Sequence, residues 1–215
     1  MRLADFDLVI WDCDGVLVDS EILTVEVEQR LLAEIGWPMT REEVIASFMG
    51  RTLASEVAEI AERLGADAAH RFETELVPTL EEVFERELRP VEGVPEVLAA
   101  LEEAGVACCV ASSGTPTGIR RKLALTGLTE RFGDRISSGV EVEHGKPAPD
   151  LFLLAATRMG VDPQRCVVLE DSVHGVTGGV AAGMTVLGYA GGLAPAAELR
   201  AAGATTFEAM RDLTV

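Results

Sequence analysis

The sequence predicts an α/β fold, a parallel sheet flanked by helices and interrupted by an all-helical insert. Short apolar runs alternate with helix-period segments, which implies parallel strands joined by helical crossovers. Residues 20–88 break that alternation, with helical patterns and no convincing strand. At 215 residues, 48% of them hydrophobic, the chain can build a core domain plus a smaller insert.

Leu8-Val9-Ile10-Trp11 reads as the first buried strand. Ser20 is placed to cap a helix that runs to about Ile35, where Gly36-Trp37-Pro38 stops it. Thr40-Arg41-Glu42-Glu43 has the pattern of a capping box, and shorter helices follow, separated near Gly50 and Gly65. After the insert, Pro95–Glu103 reads as helix, Val106–Ala111 as strand, and Thr115–Leu125 as a helix opening near Pro116. Asp150–Met159 is helical in pattern behind Pro149, and Cys166–Leu169 and Thr185–Leu187 are further strands. The tail after Tyr189 is rich in Ala and Gly and carries no recognisable chemistry. The expected division is a discontinuous core, 1–18 with 89–215, and a helical insert, 19–88. The insert is expected to cover the strand ends, with hinges at Val18-Asp19 and Leu88 to Gly93.

The formal net charge of −18 argues against nucleic-acid and anionic-membrane partners, because both would be repelled. An anionic substrate would be repelled too, so its site must be locally positive through a metal, a lysine or helix N-termini. Cations are skewed to 16 Arg against two Lys, Lys122 and Lys146. Cys13, Cys108, Cys109 and Cys166 contain no zinc-type pair and read as reduced thiols of a cytoplasmic protein. Asp5 and Asp7 interrupt any signal-like start, and no apolar run reaches membrane-spanning length. A monomer is expected.

Four turns carry chemistry. Asp12 and Asp14 stand two residues apart where the first strand ends, so an extended chain turns both to one side, and Gly15 lets it bend sharply. A carboxylate can take a phosphoryl group, and its neighbour can protonate the leaving oxygen and then activate water. Ser112-Ser113-Gly114 closes the next strand, where a hydroxyl and backbone N–H groups suit phosphate oxygens. Gly145-Lys146-Pro147-Ala148-Pro149-Asp150 places one of the two lysines in a stiffened turn. Glu170-Asp171 ends another strand and offers hard oxygen ligands of the kind Mg²⁺ takes. Each turn alone also reads as an ordinary acidic or polar loop. Together they fall at the C-terminal edge of the predicted sheet, where open α/β sheets bind ligands.

These four motifs, in this order and with a helical insert after the first strand, resemble the haloacid dehalogenase superfamily of hydrolases. Within it the chain is similar to the branch of phosphoglycolate phosphatase and β-phosphoglucomutase, which includes sugar-phosphate phosphatases. The resemblance implies a Rossmann-like core, a mobile helical cap, Mg²⁺, and a small phosphorylated metabolite as substrate. It implies that Asp12 is the nucleophile and a metal ligand, and that Asp14 is the general acid/base and binds the metal through its carbonyl. It further implies that Ser112 holds the phosphoryl group, Lys146 neutralises it and Asp12, and Asp171 ligates Mg²⁺ with Glu170 direct or through water. Even with Mg²⁺ and Lys146 the four carboxylates leave one negative charge in excess.

Other chemistries of the family fit less well. Dehalogenation uses neither a second Asp nor the acidic pair. Phosphonate cleavage needs a cap lysine, and the insert has none. The mutase carries a His where Thr24 stands, and a Lys and an Arg where Met49 and Leu53 stand. Hydrolysis is therefore expected over phosphosugar mutation, with an inactive binding module as the second alternative. Arg51, after Gly50, sits where the family turns its cap toward the site, and it could read a second anionic group. Its plain alternative is a surface Arg paired with Glu. His144 and His174 lie beside the motifs and read as a loop residue and a helix-start residue, His70 reads as a solvated residue of the insert, and Trp11 and Trp37 as packing residues.

Overall fold

The computed structural model describes residues 2–215. The chain folds as two compact units, one ending at Asp19 and resuming at Arg89–Val215, the other Ser20–Leu88.

The first unit is built on a parallel sheet. Its strands are β1 (Leu8–Trp11), β2 (Ala107–Ser112), β3 (Ile136–Ser138), β4 (Cys166–Glu170), β5 (Thr185–Tyr189) and β6 (Thr205–Phe207). Their order across the sheet, among the described residues, is β3-β2-β1-β4-β5-β6. The central strand β1 pairs Leu8 with Ala107 on one side and Cys166 on the other, and each neighbouring pair of strands runs parallel. All four residues of β1 are fully buried, as a strand covered on both faces must be.

Alternate residues divide between the two faces. Leu8, Ile10, Cys109, Ala111, Val168 and Val186 form one core cluster with Leu151, Phe152, Val176 and Leu199. Those partners come from α8 (Asp150–Met159), α9 (Val173–Ala181) and α10 (Ala196–Ala201). Truncating Phe152 to Ala in this core is worth about 3–5 kcal/mol. The remaining helices of the unit are α5 (Val94–Glu103), α6 (Pro116–Leu125) and the short α7 (Thr129–Phe132). Thr115 caps α6, its hydroxyl accepting from the Gly118 N–H at 3.2 Å.

The second unit holds α1 (Ser20–Glu34), α2 (Arg41–Phe48), α3 (Leu53–Leu64) and α4 (Ala66–Glu87). The Thr40 capping box forms at both ends: Glu43 N–H donates to Thr40 Oγ1 at 3.2 Å, and Thr40 N–H donates to Glu43 Oε2 at 2.8 Å. Leu31, Leu32, Phe48, Ile60 and Phe72 give the unit its own core. Trp37 packs edge-on against Phe48 with centroids 5.8 Å apart. The helix α4 runs through Pro78 without a break. Among the described residues no helix is long and apolar enough to cross a membrane.

The two edge strands, β3 and β6, were not expected from sequence. Each has three residues, and Ser137-Ser138 and Thr205-Thr206 leave neither with an apolar run. The helix start read at His174 is that of α9, whose extent Gly178-Gly179 hide, and α10 has no reading in the sequence because an Ala-rich tail gives a weak periodic signal.

Candidate active site

All four chemistry-bearing turns lie in the first unit, at the C-terminal edge of its sheet. Asp12 follows β1 directly, and its N–H donates to the Leu169 carbonyl at 2.9 Å, extending the ladder one residue past the strand. Gly15, at φ 77°, turns the chain back, its N–H donating to the Val18 carbonyl at 2.8 Å. Asp14 is thereby left half-buried beside the buried Asp12.

Lys146 reaches this edge from the loop before α8. Its ammonium donates to Asp12 Oδ1 and to Glu170 Oε1, each at 2.5 Å. All three side chains are at most 9% exposed. The Lys146 ammonium also lies 5.2 Å from the Phe152 ring centroid. Burial pushes the Asp12 carboxyl up to about 7; Lys146 opposes the rise, and Glu170 and Asp14 add to it. Burial works against the Lys146 ammonium, yet Asp12 and Glu170 hold it above its ordinary value. Lys146 therefore keeps its proton, and the cost of burial shows at Asp12.

Glu170 is fixed from its far side by the turn that opens α9. Ser172 donates to Glu170 Oε2 from its N–H at 2.8 Å and from its hydroxyl at 2.9 Å, and that hydroxyl accepts from the Gly175 N–H at 3.0 Å. Asp171 is 2% exposed. A Cβ on Gly192 would lie 3.6 Å from Asp171 Oδ2 and 4.0 Å from the Gly15 carbonyl, so those two oxygens face a common space. Tyr189, at the end of β5, borders the same space. Burial raises its phenol, and the charges of Asp171 and Glu92 raise it further.

Ser112 is buried at the end of β2, its hydroxyl accepting from the Gly114 N–H at 3.1 Å. Ser113 is exposed and Gly114 half-buried. The Gly114 carbonyl accepts from the Ser138 hydroxyl at 2.5 Å, so the polar end of β3 braces the Ser112-Ser113-Gly114 turn.

The structure adds a residue to this edge that had no assigned role in the sequence. Lys122, on α6, makes an ion pair with Asp14 Oδ1. Ile119 and Leu123 mark the buried stripe of α6, and Lys122 sits on the border of that stripe. A lysine in that place, in a chain with two, was the available signal. Both lysines thus end on the carboxylates of the first turn, and Lys122 offsets the negative charge left over in the sequence-based balance.

Arg51 belongs to the second unit and makes its contacts there. It donates to the Ser47 carbonyl at 2.9 Å and the Ser55 carbonyl at 3.0 Å, and pairs with Glu59. His144 lies 3.4 Å from Asp150 on an exposed loop, and His174 is exposed at the start of α9.

The donor chemistry fits one hard divalent cation. Asp12, Glu170 and Asp171 are buried carboxylates at adjacent strand ends, and burial, with Glu170 and Asp14 nearby, raises Asp12. Among the described residues no three His, Cys, Asp or Glu side chains are grouped so as to hold a metal ion by themselves. Mg²⁺ needs no such group, since it takes one or two carboxylates and completes its shell with water and substrate oxygens.

A haloacid dehalogenase-like hydrolase family model matches residues 6–183. The 6-phosphogluconate phosphatase of Escherichia coli is 29% identical over 189 residues, covering 86% of this chain and 82% of that protein. Hexitol phosphatase B of Escherichia coli is 31% identical, covering 81% and 79%. A haloacid dehalogenase family hydrolase of Deinococcus radiodurans, solved with bound phosphate and sodium, superposes with a TM-score of 0.82 at 35% identity, covering 99% of this chain and 92% of that one. With the motif residues gathered at one sheet edge and most of its length matched, the chain belongs to the haloacid dehalogenase-like hydrolase family.

Proposed function

We propose that the chain is a Mg²⁺-dependent phosphomonoester hydrolase that acts on a small phosphorylated metabolite through an aspartyl phosphate on Asp12. The observation that carries this reading is the buried ammonium of Lys146, shared between Asp12 and Glu170 at the C-terminal sheet edge. Of the two carboxylates it joins, Glu170 is also held by Ser172 through its other oxygen, and Asp12 stands on the turn that carries Asp14.

In this reading an oxygen of Asp12 forms a bond to phosphorus as the ester P–O bond breaks. Asp14 gives its proton to the departing ester oxygen, which leaves as an alcohol. Asp14, now a carboxylate, takes a proton from water as the water attacks phosphorus. That step frees inorganic phosphate and restores Asp12. Lys146, the Ser112 hydroxyl and the N–H groups of Ser113 and Gly114 supply positive charge and donors where charge gathers on the phosphoryl oxygens. Asp12, the Asp14 carbonyl, Asp171 and Glu170 would hold Mg²⁺, Glu170 directly or through water. When bound, the ion polarises phosphoryl oxygens and offsets repulsion between dianion and carboxylates.

Residues 19–88 are proposed as the substrate-selecting cap. There Arg51 can read a second anionic group only by exchanging the Glu59 carboxylate for the substrate's own. The names of the relatives point to phosphorylated sugar acids and polyols as the first compounds to try. Four free cysteines suit a reducing, cytoplasmic setting.

The test is phosphate release from a panel of phosphorylated sugars, sugar acids, polyols and glycolate, with Mg²⁺ and with excess chelator. Turnover of at least one class in Mg²⁺ alone is expected. Equal turnover in chelator would remove the metal from the scheme, and no turnover of any class would favour an inactive binding module.

A further inference from the structure

We infer that Ser138, at the end of β3, is a positioning residue for phosphoryl binding: it fixes the Ser112-Ser113-Gly114 turn in the shape that aims the Ser112 hydroxyl. The inference rests on the proposed hydrolysis and extends it to a residue outside the four motifs.

Two separate contacts carry it. The Ser138 hydroxyl donates to the Gly114 carbonyl at 2.5 Å. One residue on, a Cβ at Gly139 would stand 3.1 Å from the Ser113 Cα and 3.3 Å from its carbonyl oxygen, so the two backbones lie directly against each other. β2 and β3 stay paired as far as Ser112 and Ser138, and these contacts begin where that ladder ends. Gly114 has no side chain to restrict its own torsions there, and a hydroxyl held on its carbonyl does so instead. The Gly114 N–H in turn donates to the Ser112 hydroxyl oxygen at 3.1 Å. That bond occupies the oxygen and leaves the Ser112 proton to be given to a phosphoryl oxygen. Rotation of Gly114 would release it.

Ser138 is itself held firmly. It is fully buried, and its N–H donates to Glu141 Oε2 at 2.8 Å. Arg158 of α8 donates to both oxygens of Glu141, at 3.0 and 2.9 Å. Lys146 lies in the loop between Glu141 and α8. One hydroxyl thus joins the turn that would bind the phosphoryl group to the segment that brings Lys146.

A strand end that only stabilises the fold would use the same contacts, and Ser137 separates the two roles. It is 3% exposed on the same strand, and its hydroxyl meets Arg158 rather than the turn. The experiment titrates inorganic phosphate in Mg²⁺ into wild type, Ser138→Ala, Gly139→Ala and Ser137→Ala by calorimetry, with urea unfolding of each. Ser138→Ala is expected to weaken phosphate binding by about ten- to a hundredfold, the worth of one charge-assisted hydrogen bond. Gly139→Ala keeps the hydroxyl but presses on Ser113; it is expected to weaken binding too, and it decides the question if Ser138→Ala does not fold. Ser137→Ala is expected to keep wild-type affinity whatever stability it loses. In Ser138→Ala, kcat/KM is expected to fall by the same factor on every substrate, because the turn meets only the phosphoryl group they share. Wild-type phosphate affinity in the deciding variant, or an equal loss in Ser137→Ala, would overturn the positioning role. A wild type that binds no phosphate would instead overturn the phosphoryl site on which it rests.

Discussion

The Cβ that Gly175 lacks would stand 1.8 Å from Oε1 of Glu170 and 1.9 Å from its Cδ. No carboxylate can share that space with a methyl group, so the start of α9 and the side chain of Glu170 fit only with glycine at 175. Ser172 and Lys146 hold Glu170 from opposite ends, which leaves it little room to retreat. Gly175→Ala is expected to displace Glu170, loosen Lys146 and lower kcat/KM by roughly 10²-fold, the usual scale for an ångström of misplacement. Steady-state kinetics with circular dichroism as the folding control measure it. Wild-type kinetics in a folded variant would show that Glu170 is not a fixed part of the site.

Asp14→Asn keeps the shape of the side chain and removes the transferable proton. Its kcat/KM on alkyl phosphates is expected to fall by roughly 10²–10⁴-fold, and less on nitrophenyl phosphate. Equal activity on alkyl phosphates would remove Asp14 from proton transfer.

Stability depends on pH through the second unit. Glu28 on α1 is buried, and burial pushes its carboxyl up from 4.5 to about 8, with Glu56 on α3 adding to the rise. Burial raises Glu56 as well, and Arg51 opposes that rise. The folded state binds the Glu28 proton more tightly than the unfolded chain does. Its contribution is therefore complete below the unfolded value and lost as pH rises through about 8. At about 1.4 kcal/mol per unit, the span amounts to roughly a few kcal/mol. Glu28→Gln is expected to gain stability relative to wild type as pH rises from about 5 to 9. Thermal or urea unfolding of both proteins across that range decides it, and parallel curves would contradict the assignment.

Arg51→Ala is expected to lower kcat/KM by about ten- to a hundredfold on substrates with a second anionic group and to spare neutral-tailed ones. The Glu59 pair itself is a partly exposed contact worth about 0–1 kcal/mol, so the fold tolerates its loss. An equal loss on every substrate would assign Arg51 to holding the turn between α2 and α3. No loss on any would leave it a surface residue.

What was legible in the sequence follows from the strength of each signal. The strand Leu8–Trp11 and the helix Asp150–Met159 were readable to the residue, because an unbroken apolar run and a proline-led amphipathic stretch have few alternatives. The strand read as Val106–Ala111 lies one residue later, at Ala107–Ser112, which makes Ser112 the last residue of the sheet rather than the first of the turn. The edge strands were silent because their pairing is set by the neighbouring strand and not by their own serines and threonines. The convergence of Asp12, Lys146 and Glu170 was expected from motif order. The Lys122–Asp14 pair was not, because it depends on the azimuth of α6, which sequence spacing fixes only once the strand it packs against is known. Ser138 and Gly175 were invisible for a related reason, and Ser172, which closes the Glu170-Asp171 motif, had no role there. Each acts through a short contact with another motif residue, which spacing alone does not show.

The central claim is that Asp12 carries the phosphoryl group during turnover. Its most direct test is rapid acid quench of the enzyme with substrate and Mg²⁺, borohydride reduction of any acyl phosphate, and mass spectrometry of the resulting peptides. A substrate-dependent reduction product is expected at position 12 and absent in Asp12→Asn, which is itself expected to have no measurable turnover. The same product at any other carboxylate, or full turnover by Asp12→Asn, would contradict it.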